Sequence, residues 1–442
     1  MPRVRLGDDV RPSDMTATSA ESLSSASALS SISTAAVMTL DPPSSTSRDS
    51  VPASKPFIVR NGRPYLDHPK LPYPLPSDLA EWHRQSLRTM LLCNIFGAPV
   101  CSPDLIEKPP RRVLEVGCGS GFWSTMCHRF YKSRGHSDIS FTGIDVVPLW
   151  PDSEVPGPDK DMKWTFIKHD ISRLPWPVGD KFDLIMVKDM SLAVVESQLQ
   201  YRILSKYLRF LRPGGTIEIW DSDHVIRMLR PHVPETTPKE QEAATSLGAY
   251  VVSANTPLSA SPNPFLNSYN AWLERALEAR HLSGVPCTLI GPSMLQESDA
   301  LDDIQSRRLA VPLGKVRWER EPTNAPTDEA RSEEAATKQR TLSARQSALR
   351  ATALLTVVQQ VQALEPILRD VSGKSQDEWD AWIGKMMGNL IQDGGASWGE
   401  CLEVGAWWAR KKEEELEDEL EETAATIDWA SLLPSCNGCS GP

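Results

Sequence analysis

Residues Arg111 to Ser124 read RRVLEVGCGSGFWS and form the stretch that decides the fold. A short apolar run contains the carboxylate Glu115, and three glycines follow, two residues apart, at Gly117, Gly119 and Gly121. Glycine adopts positive φ at little cost and lets the backbone approach a ligand closely. A strand, a glycine turn and a helix in this order predict a site for a nucleotide-like ligand at the carboxyl edge of a parallel sheet.

The sequence on either side of this turn alternates between strand-like and helix-like segments. The strand-like segments are RRVLEV, ISFTGID, WTFIKHD, FDLIMVKD and GTIEIWD, and the helix-like segments include GFWSTMCHRFYKS and LQYRILSKYLRFL. Such alternation predicts βαβ units and therefore the α/β class. Because the strands are almost continuously apolar, we expect helices on both faces of the sheet.

Two cofactor classes compete for the glycine turn. The dinucleotide fingerprint G-x-G-x-x-G needs a glycine at position 122, where this chain has Phe122. A carboxylate at Glu115 would repel a pyrophosphate but would attract a ligand with a cationic amino-acid end. Both residues favour S-adenosylmethionine and argue against a nicotinamide oxidoreductase.

Two further carboxylates stand where strands are expected to end. Asp145 ends the segment FTGID and can accept hydrogen bonds from both ribose hydroxyls, in either cofactor class. Asp170 ends WTFIKHD and can accept a hydrogen bond from an adenine amino group. Together they predict a nucleoside at the edge of the sheet.

These segments resemble the class I S-adenosylmethionine-dependent methyltransferases over residues 105–225. The matching motifs are VLEVGCGSG, GID, HD, FDLIMVKD and LRPGGTIEIWD. The flanking segments YPLPSDLAEWHRQ, VPLG and AWWARKK are similar to those of a fungal subgroup, the LaeA-like methyltransferases. The resemblance implies a Rossmann-like, seven-stranded, mostly parallel sheet with an antiparallel last strand, helices on both faces and a helical lid insertion.

The same resemblance assigns roles to individual residues. Glu115, Gly117, Gly119 and Gly121 would hold the methionine part of S-adenosylmethionine. Asp145 would hold the ribose and Asp170 the adenine. The expected cofactor-binding set is completed by neighbours of these residues: Cys118, Val146, Ile171 and Lys188. Cys118 lies inside the glycine turn, where we expect it to pack.

Methyl transfer from a sulfonium is an in-line displacement that depends on proximity and orientation. A general base is needed only if the acceptor loses a proton. Asp189, after the fourth strand, and His224, after the fifth, are the expected catalytic residues, although a helix cap and a surface histidine are the alternatives. The place of the Asn/Asp-Pro-Pro-aromatic motif of many amino-group methyltransferases reads KDMS here, which argues against a nucleobase or amide nitrogen as acceptor.

Four tryptophans near the end of the chain have two interpretations. They line an acceptor pocket or belong to the core, and aromatic residues on helices and strands are more often core. The tryptophans are Trp379, Trp382, Trp407 and Trp408.

Composition divides the chain into seven predicted segments. They are a disordered Ser/Thr-rich tail (1–55), a helical extension (56–104), the methyltransferase core (105–315), a flexible insertion (316–340), a helical lid (341–399), the closing strand (400–410) and an acidic disordered tail (411–442). Within them, Ser77 is expected to cap a helix that ends near Phe96, and Ser375 with Glu378 has the spacing of a capping box.

Charge and composition exclude several classes of protein. The net charge of -11 argues against a general nucleic-acid-binding protein, which needs a basic face. No apolar run approaches the roughly 18 residues of a membrane span, and we expect no secretory signal. Eight scattered cysteines indicate reduced thiols and a cytoplasmic or nuclear location. No metal site is predicted, since Cys436 and Cys439 form only a lone C-x-x-C.

The leading hypothesis is a methyltransferase that uses S-adenosylmethionine and an unidentified acceptor, either a small molecule or a protein. The alternative is a methyltransferase-fold regulatory protein that acts through protein partners, with its tails as possible contact segments. The intact glycine turn favours the enzyme.

Overall fold

The structure is a computed structural model that describes residues 57–68, 70–146, 159–179, 181–201, 203–232, 235–319, 342–392 and 394–413. The chain divides into a first unit, residues 1–54, which lies outside these ranges, and a second unit that contains all of them. The tail predicted at 1–55, most of the insertion predicted at 316–340 and most of the acidic tail predicted at 411–442 lie outside the described residues.

The strands of the described residues, in chain order, are β1 (Phe57–Arg60), β2 (Arg63–Leu66), β3 (Arg112–Val116), β4 (Ser140–Asp145), β5 (Lys163–Lys168), β6 (Phe182–Lys188), β7 (Leu211–Ser222), β8 (Arg227–Leu229), β9 (Tyr250–Val251), β10 (Leu258–Ala260), β11 (Leu301–Pro312) and β12 (Glu400–Lys411). The α-helices are α1 (Leu79–Phe96), α2 (Pro103–Glu107), α3 (Phe122–Lys132), α4 (Glu196–Tyr201), α5 (Ile203–Leu208), α6 (Pro238–Leu247), α7 (Pro264–Glu278), α8 (Ile290–Gln296), α9 (Ala344–Ala363), α10 (Glu365–Ser372) and α11 (Gln376–Ile391).

The central sheet follows the order β10-β8-β12-β7-β6-β3-β4-β5, and β11 pairs with β12 and β9. The pairs β3–β4, β4–β5, β3–β6 and β6–β7 are parallel, whereas β12 runs antiparallel to β7. The predicted Rossmann-like α/β fold is confirmed. Three short strands, β8, β9 and β10, extend the expected seven to ten.

The parallel strands bury both of their faces. In β3, Val113 packs into one hydrophobic cluster while Leu114 and Val116 pack into the other. All three are fully buried. Successive side chains of a strand point to opposite faces, so this division places one core on each side of the sheet. The polar ends of these strands are left at one edge, where the glycine turn lies.

The sequence predicts a helical extension over 56–104, but the structure shows that this extension is only partly helical. It begins with an antiparallel hairpin of β1 and β2, whose turn residues Asn61 and Gly62 both have positive φ. Asn-Gly is the pair that a two-residue hairpin turn of this kind favours. The cap of α1 also differs from the prediction. Asp78, rather than Ser77, is the N-cap, and its side chain accepts a hydrogen bond from Glu81 N.

The helical insertion, α9 to α11, lies in sequence between the last two long strands, β11 and β12. The capping box predicted for Ser375 and Glu378 is present at the start of α11. Helix α9 packs against α1. Its buried Arg350 donates to Gly248 O and Gly314 O and pairs with Glu319 at 2.7 Å. The insertion therefore contacts the core at two places, through the packing of α9 on α1 and through the hydrogen bonds of Arg350 to Gly248 and Gly314.

Candidate active site

The glycine turn adopts the conformation that its sequence requires. Gly117, Gly119 and Gly121 have φ of 65°, 50° and 65°. A Cβ atom on Gly117 would lie 2.2 Å from Met190 Sδ, which excludes any side chain there without rearrangement. Gly121 is the N-cap of α3, and a Cβ atom on it would lie 3.0 Å from the Trp164 ring. The backbone therefore turns closely over the end of β3.

Asp145, at the end of β4, is joined to the glycine turn. Its Oδ2 accepts a hydrogen bond from Gly119 N at 2.8 Å, and its Oδ1 accepts one from Val146 N at 2.7 Å. A carboxylate offers about four lone-pair sites, so a single oxygen can accept more than one donor. Asp145 can therefore hold the turn in place and still accept the hydroxyls of a ribose.

Glu115 is a buried carboxyl group at the base of the turn. Its Oε2 accepts hydrogen bonds from Ser124 Oγ at 2.6 Å and Ser124 N at 3.2 Å. Burial raises the pKa of Glu115 to about 7, against the opposing effects of Ser124 and the Lys188 charge. Glu115 thus ties β3 to the first turn of α3, and a nearby cation would favour its ionised form.

The structure brings most of the predicted residues into one cleft at the carboxyl ends of β3, β4 and β6. The predicted residues that line it are Glu115, Gly117, Cys118, Gly119, Asp145, Val146, Ile171, Lys188, Asp189 and His224. Gly121 and Asp170 do not line it. Gly121 instead starts α3, and Asp170 stands one residue before the lining residue Ile171.

Asp170 contacts its own loop in place of the cleft. Its Oδ1 accepts hydrogen bonds from Ser172 Oγ at 2.7 Å and Ser172 N at 2.9 Å. Its Oδ2 is buried and makes no hydrogen bond within the described residues, although Arg173 Nε lies 3.2 Å away. His68 Nε2 lies 3.9 Å from the same oxygen. Since a carboxylate oxygen has about two lone pairs, it can still accept a hydrogen bond from an amino group such as that of adenine.

Asp189 lies in the cleft as an ion-paired group. Its Oδ1 accepts hydrogen bonds from Arg88 Nη2 at 2.7 Å and Nε at 2.9 Å, and its Oδ2 accepts one from Lys188 Nζ at 2.9 Å. These two cations hold the pKa of Asp189 well below its usual value despite burial. Both carboxylate oxygens are thus occupied by cationic donors and are not directed at an acceptor. The contacts favour a positioning role over the general-base role expected from the sequence.

His224 also lines the cleft, and its ring is enclosed. Nε2 lies 2.9 Å from Ser191 Oγ, and Nδ1 lies 3.2 Å from Gln360 Nε2 of α9. Burial lowers the pKa of His224 to about 3, and the Arg88 charge acts in the same direction. The imidazole is therefore uncharged at neutral pH, and it is not the surface histidine that was the alternative.

Sequence reasoning missed a polar face of α1 that borders the cleft. Arg84 and Glu81 are buried and form a bidentate pair, with nitrogen–oxygen distances of 2.6 and 2.8 Å. Gln85 donates to Glu81 and to Tyr73 Oη, and Arg88 reaches Asp189. The signal was available, since positions 81, 84, 85 and 88 share one helical face. Charged residues at the spacing of a buried stripe indicate a site.

The remaining wall of the cleft is apolar. It comes largely from the hairpin, the segment after it and α1, through Phe57, Leu66, Leu71, Leu75 and Trp82. The four late tryptophans do not line it: Trp379 and Trp407 are buried in the hydrophobic clusters, which supports the core interpretation.

One group of described residues has the spacing of metal ligands. His128, Asp159 and Asp161 have ligand atoms within 4.8 Å of one another. They lie outside the cleft, and both carboxylates are already paired, Asp159 with Arg129 and Asp161 with Lys132.

No helix in the described part of the chain has the length and apolar character needed to cross a membrane.

Comparison with known proteins agrees with the geometry of the turn. A family model described as "Methyltransferase domain" matches residues 113–215. The secondary metabolism regulator laeA of Aspergillus niger is 28% identical over 182 residues, which cover 40% of this chain and 44% of that protein. The ajmaline N-methyltransferase of Rauvolfia serpentina is 30% identical over 161 residues, which cover 36% of this chain and 51% of that enzyme.

Among solved structures, the plantazolicin methyltransferase BpumL in complex with S-adenosylhomocysteine aligns with a TM-score of 0.31 and 14% identity, over 75% of this chain and 88% of that one. The chain matches about half of the length of these curated relatives, or less. Residues 113–215 are therefore a methyltransferase domain, and this part of the chain resembles the class I S-adenosylmethionine-dependent methyltransferases and, among them, the LaeA-like proteins.

Proposed function

We propose that the protein transfers a methyl group from S-adenosylmethionine to an acceptor that is a small molecule or a protein. The observation that carries the proposal is one cleft that joins the glycine turn, Glu115, Asp145 and His224 at the carboxyl edge of the sheet. A site of action in the cytoplasm or nucleus belongs to the same proposal.

The residues present fit this cofactor. Gly117 and Gly119 offer positive-φ backbone that lets a ligand approach closely, and Asp145 has lone pairs for two ribose hydroxyls. Ile171 lies beside the adenine position inferred for Asp170. Glu115 would face the cationic end of the methionine part, where a positive charge would stabilise its ionised form.

Bound in this way, S-adenosylmethionine supplies an activated methyl group on a positively charged sulfur. The work of the protein is then largely positioning. The ion pairs of Asp189 with Arg88 and Lys188 hold the end of β6 beside the glycine turn. The backbone of Asp189, which has a φ of 56°, is held as well, because its N–H donates to Trp220 O. The apolar wall of Phe57, Leu66 and Trp82 would exclude water from the acceptor.

Helix α9 contributes Gln360 to the same cleft, so the helical insertion would act as a lid over the acceptor. This arrangement supports an acceptor that enters between the hairpin, α1 and α9.

The test is calorimetric titration of the full chain with S-adenosylmethionine, S-adenosylhomocysteine and NADH. We expect binding of both adenosyl-sulfur ligands, no binding of NADH, and loss of binding in Asp145→Ala. The matched control is Asp138→Ala, because Asp138 is an exposed aspartate outside the cleft. If the folded wild-type chain bound neither adenosyl ligand, the enzyme proposal would fall and the regulatory alternative would replace it.

A further inference from the structure

A chain of four hydrogen-bonded side chains connects α9 to the end of β7. Gln360 contacts His224, His224 contacts Ser191, and Ser191 Oγ lies 2.8 Å from Asp221 Oδ1. Gln360 and His224 line the cleft, whereas Ser191 and Asp221 are buried behind them. The Nδ1 edge of the imidazole is therefore on the side of the cleft and the Nε2 edge on the side of the core.

Asp221 determines the direction of these hydrogen bonds. It accepts from Ser191 N at 3.1 Å and from Ser222 N at 2.8 Å, in addition to the Ser191 hydroxyl. Burial and the Asp189 charge raise the pKa of Asp221 to about 7, against the effect of the hydrogen bonds from Ser191 and Ser222, so above pH 7 the group is largely a carboxylate, which can only accept. Above pH 7, Ser191 therefore gives its single hydroxyl proton to Asp221.

The tautomer of His224 follows from this direction. Because the Ser191 proton is directed at Asp221, Ser191 Oγ can interact with His224 Nε2 only as an acceptor. Nε2 then carries the ring proton and Nδ1 has a free lone pair, to which the Gln360 amide donates. The backbone of His224 is fixed on both sides, by Tyr269 Oη donating to His224 O and by His224 N donating to Gly284 O.

We propose that Ser191 and Asp221 are positioning residues that hold His224 with an unprotonated Nδ1, and that Nδ1 takes a proton from the acceptor. The proposal rests on the methyltransferase function proposed above. It restricts the acceptor class to compounds or side chains whose methylated atom carries a proton, such as a hydroxyl or an N–H group.

The step balances in atoms and charge. The acceptor oxygen or nitrogen forms the bond to the methyl carbon, and the bond between that carbon and sulfur breaks with its electron pair left on sulfur. The acceptor proton passes to His224 Nδ1, in the position that the Gln360 amide now occupies, and its bonding pair stays on the acceptor atom. One positive charge disappears at sulfur as one appears on the imidazole, so the net charge of the cleft is unchanged by the step.

The test measures the tautomer directly and needs no acceptor. The full chain is labelled with ¹⁵N-histidine, and the ring nitrogen signals are recorded at pH 8.5, with His224→Gln used to assign the His224 signals. In the wild type we expect a protonated Nε2 and a bare Nδ1. In Ser191→Ala and in Asp221→Asn we expect the preference to be lost, with a mixture of both tautomers or an excess of Nδ1–H.

The matched control is Ser293→Ala. Ser293 is also a buried serine, but its hydroxyl donates to Leu199 O and Leu289 O, so the His224 signals should not change. A protonated Nδ1 in the wild type would overturn the proposal, as would an unchanged tautomer in both Ser191→Ala and Asp221→Asn. Calorimetry with S-adenosylhomocysteine on the same samples separates this proposal from the methyltransferase proposal. Cofactor binding can fail while the tautomer is as expected, and the tautomer can differ while the cofactor binds.

Discussion

Glu115 should release a proton when the methionine part of the cofactor binds. The pKa of this buried carboxyl group is about 7, so at pH 7 it is about half protonated. An opposite charge within a few ångströms lowers a carboxyl pKa by about one to three units. A shift of one unit leaves only about a tenth of the group protonated, so binding at pH 7 should release roughly 0.4 proton.

The assay is calorimetric titration at pH 7 in two buffers of different ionisation enthalpy. The difference between the two apparent binding enthalpies gives the number of protons released. S-adenosylmethionine is the test ligand, and adenosine, which lacks the methionine part, should release none. In Glu115→Gln the buffer dependence should disappear.

Glu218 provides a matched control for this experiment. It is also fully buried, and burial raises its pKa to about 7, but its carboxyl group accepts hydrogen bonds from Cys101 N and Ser102 N and does not line the cleft. Glu218→Gln should therefore leave the proton release unchanged. Equal binding enthalpies in the two buffers for the wild type would refute the reasoning, because Glu115 would then not face the cationic end of the ligand.

Two further perturbations test the turn and the ion cluster. Gly117→Ala should weaken S-adenosylhomocysteine binding at least tenfold in calorimetry, because its Cβ atom would meet Met190 Sδ. The control is Gly135→Ala, at a glycine with φ of 88° and open space around it, which should lower stability in urea but leave affinity intact. Equal affinity losses in both variants would contradict this account. Arg88→Met should lower the free energy of unfolding by about 1–3 kcal/mol, since it removes a charged hydrogen-bond donor from a half-buried carboxylate, and adding Asp189→Asn should restore part of the loss. Arg88 also holds the pKa of Asp189 down, so the Arg88→Met variant should begin to unfold at a higher pH than the wild type as acid is added. Additive stability losses in the double variant would show that Arg88 and Asp189 do not interact energetically.

The parts of the site that the sequence predicted are those encoded locally. The glycines, Glu115 and Asp145 stand at the ends of strands that follow one another in the chain, and parallel strands bring such ends to one edge. Asp170 shows the limit of this reasoning. A strand end fixes the position of its backbone, but the side chain turned to Ser172 in its own loop.

The parts that were missed depend on tertiary contacts between distant segments. Arg88 lies 101 residues before its partner Asp189, and Gln360 lies 136 residues after His224. No periodicity near Asp189 indicates that a cation from α1 will neutralise it. The local sequence therefore favoured a base at Asp189, because the cation that occupies this carboxylate lies far away in the chain.

The position of β12 has a consequence for how the chain folds. This strand pairs with β7 on one edge and with β11 on the other, yet it is the last strand of the described chain to leave the ribosome. Until it inserts, β7 and β11 each carry an unpaired backbone edge, the kind of surface that recruits other chains into aggregates. Pairing between segments so distant in sequence is also slow to form. The time between synthesis of β11 and insertion of β12, while α9 to α11 are being made, is therefore the period in which a nascent chain most needs chaperones.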